Sequence, residues 1–150
     1  MKVREAMIRD VSAMFEDETI EDFIVLCLRQ NRSGLPVVDE EFKVVGFLSE
    51  SDVIKSALPS YFSLLQSASF IPDTHQFVIR LGKIKDDHVS QHMVKPPVVI
   101  KPDDTVIYAA DLLIKNGLKV MPVVDEYGKL MGIVNRIHLI HAATQGKIDR

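Results

Sequence analysis

The 150-residue sequence contains one cysteine and no tryptophan, and its absences narrow the possibilities first. Cys27 cannot pair within the chain, so no disulfide framework exists and a reducing compartment is expected. No apolar run approaches the ~20 residues needed to span a bilayer. The opening Met1-Lys2-Val3-Arg4-Glu5-Ala6 lacks the apolar core of a secretory signal, which points to the cytoplasm. Neither sign of charge dominates: Lys plus Arg minus Asp plus Glu is 18 − 21 = −3, which argues against nucleic-acid binding driven by bulk charge. The seven glycines are scattered and form no phosphate-cradling loop. His75, His88, His92, His138 and His141 lack the Cys or carboxylate spacing of a zinc site. Cys27 lies on an apolar stripe and reads as a small hydrophobe rather than a nucleophile. No Ser/His/acid arrangement stands out, so neither a catalytic nor a metal site is expected. What is present, 47% apolar and 26% charged residues, is the composition of a soluble chain that buries a core.

The dominant positive feature is an internal repeat. Leu35-Pro36-Val37-Val38-Asp39-Glu40 recurs as Met121-Pro122-Val123-Val124-Asp125-Glu126, an offset of 122 − 36 = 86. The same offset, without a gap, pairs Met7 with Met93, Asp17 with Asp103, Thr19 with Thr105, Gly46 with Gly132 and Ile54 with Ile140. A register held from Val3 to Ala57 marks a duplication.

Each copy reads as β-α-β-β-α. In copy one Val11 to Phe15 suggests a short strand, and Thr19 with Asp22 has capping-box spacing ahead of a helix. Ile20, Phe23, Ile24, Cys27 and Leu28 give that helix its apolar stripe. Leu35 to Val38 is too short and too β-branched for a helix, Asp39 to Phe42 turns the chain, and Lys43 to Ser49 returns as the second hairpin strand. Ser49 or Ser51 caps a last helix through Val53, Ile54 and Ala57. Copy two repeats this with Asp104 or Thr105 as cap, Gly117 as helix stop and Tyr127-Gly128 in the turn. One copy of about 55 residues buries too little surface to stand comfortably alone, so the two are expected to share one body.

Residues 58–88 have no counterpart in the repeat. This insert holds Tyr61, Phe62, Phe70 and Phe77, with Pro59 and Pro72-Asp73 as helix starts and Gly82 as a stop. Phe77, Val78, Leu81 and Ile84 trace an amphipathic helix. Its aromatics either cover the repeat core or form a self-association surface.

Leu35-Pro36-Val37-Val38-Asp39 with Gly46-Phe47-Leu48-Ser49-Glu50-Ser51-Asp52, and Met121-Pro122-Val123-Val124-Asp125 with Gly132-Ile133-Val134-Asn135, resemble the tandem cystathionine-β-synthase (CBS) domain pair, or Bateman module. The resemblance implies an α/β fold of two pseudo-symmetric repeats, residues 1–57 and 89–150, joined by the helical insert 58–88. It further implies a stand-alone regulatory module rather than an enzyme. Such a module takes AMP, ADP, ATP or S-adenosylmethionine as effector, needs no cofactor, and binds in clefts between the copies. A homodimer and a regulated partner protein are expected with it; nucleic acid and membrane are not. The competing reading is a protein-interaction or dimerisation module with vestigial clefts.

In the family a Ser or Thr followed three residues later by Asp holds the ribose, which assigns Ser49 and Asp52. An ionised carboxylate has two oxygens able to accept from the 2′- and 3′-hydroxyls. The same residues also suit a simple helix cap. In copy two these positions hold Asn135 and His138 (49 + 86 and 52 + 86), and a neutral imidazole has one acceptor nitrogen. Loss of a charge-assisted contact costs ~1.5–3 kcal/mol, so the two clefts are expected to be unequal. By the same resemblance the base lies against Met93, Val94, Val98 and Leu118, although these valines also suit an ordinary core. Arg32, Lys119 and Arg136, with Lys95 behind them, are the cations available to phosphate, or else solvated loop charges.

Overall fold

The computed structural model describes residues 1–58 and 74–146. Its elements follow in chain order as α1 (Val3–Ala6), β1 (Met14–Phe15), α2 (Ile20–Gln30), β2 (Gly34–Val38), β3 (Val44–Ser49) and α3 (Glu50–Ala57). After them come α4 (Thr74–Ile84), a 3₁₀ turn (Val89–Gln91), α5 (Val106–Lys115), β4 (Val120–Val124), β5 (Leu130–Asn135) and α6 (Arg136–Gln145). Strands β1, β2 and β3 form one sheet in that order, and β4 and β5 form a second. In the second sheet β4 and β5 run antiparallel, with Pro122 opposite Ile133 and Val123 opposite Gly132. The structure therefore holds two helix-and-sheet repeats, as the sequence pattern anticipates.

Helix starts are fixed locally. Thr19 accepts from the Asp22 N–H while Asp22 takes the Thr19 N–H, completing the box that its spacing suggests. Those bonds hold the Asp22 carboxyl below the usual carboxylate range. Ser49, not Ser51, caps α3, and Thr105, not Asp104, caps α5. At the hairpin tips Phe42 has φ 66° where Gly128, its repeat mate, has φ 82°. Copy one thus holds a bulky residue in the left-handed region where copy two uses glycine.

The structure corrects four expectations. The first strand is confined to Met14–Phe15, with Val11 exposed; in copy two it shrinks to a single bridge from Ile100 to Val123. On α2 only Ile20 and Phe23 of the apolar stripe are buried, Cys27 is half-buried, and Leu28 is 78% exposed. The inward row is i, i+3, i+7, so residues one position further on turn toward solvent. Gly82 does not end the insert helix, which runs to Ile84. That helix buries no residue completely, and Val78 faces outward. Tyr61, Phe62, Phe70, Pro59 and Pro72-Asp73 lie outside the described residues.

The described chain separates into two compact units. Unit 1 comprises Met1–Ala13, Val38–Val45 and residues 96–146; unit 2 comprises Met14–Val37 and residues 46–58 and 74–95. The core of unit 1 is built from Val3, Ile100, Ala109, Leu113, Met121, Val123, Val134 and Leu139. Unit 2 buries Val89, Met14, Phe23, Leu35, Val37, Leu48 and Val53. All seven of these match a unit 1 core residue through the offset of 86, and half-buried Cys27 matches Leu113.

Each unit takes its opening segment from the other sequence copy. In unit 1 the Val3 N–H donates to Asp104 O (2.8 Å) and Ile8 and Ile133 exchange two backbone bonds (2.8 and 2.9 Å). In unit 2 the Val89 N–H donates to Glu18 O (2.8 Å), and Val94 and Phe47 exchange the matching pair (2.9 and 3.1 Å). Gly132 and Gly46 permit this approach: a Cβ on Gly132 would collide with the Ile8 carbonyl, and one on Gly46 with the Met93 side chain. A backbone carbonyl yields less than a flexible thioether. Gly132→Ala is therefore expected to lower stability by about 1–3 kcal/mol, and more than Gly46→Ala does, as read by urea unfolding.

Candidate functional site

Ser49 ends β3 and caps α3, because a short hydroxyl there can accept the otherwise unpaired N–H of the first helical turn. Its Oγ accepts from the Asp52 N–H (3.2 Å) and donates to Asp52 Oδ2 (2.9 Å). The Ser49 N–H also donates to Oδ2 (2.9 Å). The cap therefore occupies one carboxylate oxygen, while Oδ1 has no hydrogen bond among the described residues. Both side chains are half-buried.

Copy two builds a different helix start. Asn135 Oδ1 accepts from the His138 N–H (2.8 Å) and lies 2.9 Å from His138 Nδ1. An acceptor at that point places the proton on Nδ1 and leaves Nε2 outward. No carboxylate stands in the first turn of α6. His138 is exposed where Asp52 is half-buried.

The remaining sequence-assigned residues divide between the units. Met93 and Val94 share unit 2 with Ser49, Asp52, Arg32 and Lys95. Val94, 49% exposed, pairs with Phe47 two residues before Ser49, and Met93 lies over Gly46. The segment assigned to the base and the residues assigned to the ribose thus come from different copies into one unit. Val98, Leu118, Lys119 and Arg136 belong to unit 1. Val98 and Leu118 pack half-buried against its core, and Arg136 Nε donates to Leu118 O (2.7 Å). Lys119 is exposed.

One arrangement escaped the sequence reading. His92 Nε2 lies 2.8 Å from Asp87 Oδ2, and Nδ1 lies 2.9 Å from Ser56 Oγ, so a Ser/His/acid group does exist. Ser56 Oγ donates to the Asp52 carbonyl (2.9 Å), which makes it a tie to the helix rather than an activated nucleophile. Ser56 and His92 are 36 residues apart, and no local spacing signals their meeting.

No group of three or more metal-ligating side chains forms among the described residues, and no helix there is long and apolar enough to cross a membrane. Cys27 is half-buried, and burial pushes its thiol up, with Arg32 opposing and Glu50 reinforcing the shift. A raised thiol holds less thiolate at a given pH. Cys27 is accordingly expected to react with iodoacetamide at pH 8 more slowly than a free thiol in the urea-unfolded chain; equal rates contradict this.

A family model described as "CBS domain" matches residues 3–58 and 89–144. The uncharacterized protein MJ1426 of Methanocaldococcus jannaschii is 33% identical over 153 residues, covering 95% of this chain and 90% of its own length. The chloroplastic CBS domain-containing protein CBSX2 of Arabidopsis thaliana is 29% identical over 137 residues. That match covers 86% of this chain and 57% of the plant protein. The crystal structure of CBSX2 in complex with AMP superposes with a TM-score of 0.73 at 25% identity, covering 96% of each chain.

Proposed function

The chain belongs to the CBS-domain family, and from that premise we propose that it is a regulatory module, not an enzyme, that binds an adenosine-containing ligand of the AMP, ADP, ATP or S-adenosylmethionine type. The observation that carries this reading is the Ser49/Asp52 helix start, where a half-buried carboxylate keeps one oxygen free in the unit that also holds the exposed Val94. A cap alone uses only Oδ2. The free Oδ1 has two lone pairs to offer adjacent ribose hydroxyls, and the apolar Met93–Val94 edge suits a purine face. The relative solved with AMP supports the ligand class. Arg32, which shares unit 2 with Ser49 and Asp52, is the cation proposed for a phosphate at this site; Lys119 and Arg136 belong to unit 1.

The Asn135/His138 start is the weaker second site, since it offers an amide and an imidazole in place of a carboxylate. In AMP titration calorimetry Asp52→Ala is expected to lose affinity by at least about tenfold, and His138→Ala to stay within about twofold of wild type. Unchanged affinity in a folded Asp52→Ala protein, checked by circular dichroism, overturns the ribose assignment.

Ligand binding is read out through assembly or through a regulated partner. The proposed assembly is a homodimer, and the support is apolar surface on the outer faces of matched helices. Leu28 and its repeat mate Ile114 are 78% and 68% exposed, and Ile107 is 79% exposed on the same helix as Ile114. Sedimentation equilibrium is expected to give a dimer for wild type and a weaker one for Ile107→Ser/Ile114→Ser; a monomeric wild type removes the dimer from the account.

A further inference from the structure

Helix α4 lies outside both segments that the family model matches, residues 3–58 and 89–144, so the repeat fold does not require it. It packs on α3, and its inner row is Phe77, Leu81 and Ile84, all half-buried. Their spacing of i, i+4 and i+7 puts the three on one side of the helix. Ile79 stands on the opposite side at 43% exposure, with Val78 beside it at 57%. A helix that only packs on α3 needs one apolar row; this one carries a second apolar edge in solvent.

The charge on this helix is of one sign. From Thr74 to Lys85 the sequence has Arg80, Lys83 and Lys85 and no Asp or Glu. All three cations are exposed, and none makes an ion pair or a side-chain hydrogen bond among the described residues. Lys83 follows Ile79 by four residues and so stands next to it on the outer side. Arg80 adjoins Ile79 on one flank as Val78 does on the other. Asp86 follows the strip, exposed, and Asp87 is engaged by His92. The unit around the strip is acidic: the described residues of unit 2 hold seven Lys and Arg against nine Asp and Glu, 7 − 9 = −2. A broad anionic surface, such as a lipid bilayer or a nucleic-acid backbone, meets that net negative charge as well as the strip. A narrow acidic segment meets the strip alone.

We propose that the outer face of α4 is a docking surface for an acidic, amphipathic segment of a partner protein. Apolar side chains of that segment cover Val78 and Ile79, and its carboxylates pair with Arg80 and Lys83. Helix α3, on which α4 packs, begins at the Ser49 cap and carries Asp52. A partner seated on α4 is therefore one helix away from the Ser49/Asp52 start. The surface itself does not depend on the adenosine reading.

The test uses the full chain and a fluorescein-labelled synthetic peptide with Glu and Leu at helical spacing, read by fluorescence anisotropy. The same peptide with Gln in place of Glu, phosphatidylserine vesicles and a single-stranded RNA are the comparison probes. Wild type is expected to bind the Glu peptide at least about tenfold more tightly than the Gln peptide, and less tightly as added salt screens the exposed charges. Arg80→Glu/Lys83→Glu is expected to lose at least about tenfold for the Glu peptide, and Ile79→Ser about three- to tenfold. Lys101→Glu, which reverses an exposed cation of unit 1, is expected to stay within about twofold of wild type. Every substituted side chain is exposed, and circular dichroism checks that each variant folds. No binding of the Glu peptide by wild type, equal affinity for the two peptides, or a loss in Lys101→Glu as large as in the α4 double variant overturns the proposal. Vesicle or RNA binding that depends on Arg80 and Lys83, without peptide binding, overturns it in favour of a lipid or nucleic-acid surface.

Discussion

The opening segment of each repeat makes its backbone hydrogen bonds to the other repeat, and everything described above depends on that exchange. Val3 and Ile8 close against Asp104 and Ile133, and Val89 and Val94 close against Glu18 and Phe47. These are backbone bonds, so their geometry is set by chain direction and by the absence of a side chain at Gly46 and Gly132 rather than by particular side chains. A repeat of about 55 residues has too little core to hold itself, and Val3 and Val89, both fully buried, show what each half borrows.

The exchange is also what assembles the candidate site. It lays Val94 beside Phe47, two residues before the strand ends at Ser49, so groups more than 40 positions apart in the chain meet in one unit. The two helix starts then diverge through side-chain chemistry alone. Asp52 completes a capping box and keeps an oxygen to spare, whereas His138 turns its Nδ1 onto its own cap and offers one nitrogen outward. The two halves bury matched positions, while their polar rims differ. The Asp87–His92–Ser56 group belongs to the same divergence, because the other half keeps Met1, Ala6 and Ala142 at those places.

Much of this was legible in the residues because it is periodic or local. The offset of 86 predicts matched cores, and Leu35 with Met121, Val37 with Val123 and Leu48 with Val134 are buried in pairs. Caps are read within four residues, so Thr19, Ser49 and Thr105 stand out from their spacing, although choosing Ser49 over Ser51 needs the actual helix start. What was not legible depends on direction or distance. Leu28 fits the helical period of the buried row yet points outward, since a stripe two residues wide does not say which edge the sheet covers. The meeting of Ser56 with His92 has no sequence signature, because it is made by the exchange itself.

The central claim is that the Asp52 carboxylate holds a ribose diol, and the most direct measurement removes the diol rather than the carboxylate. Calorimetric titration of the wild-type chain with adenosine and with 2′,3′-dideoxyadenosine leaves cap, fold and base contact intact. The account predicts that the dideoxy compound binds at least about tenfold more weakly, from the loss of hydrogen bonds to a charged acceptor. Equal affinity for the two compounds contradicts it.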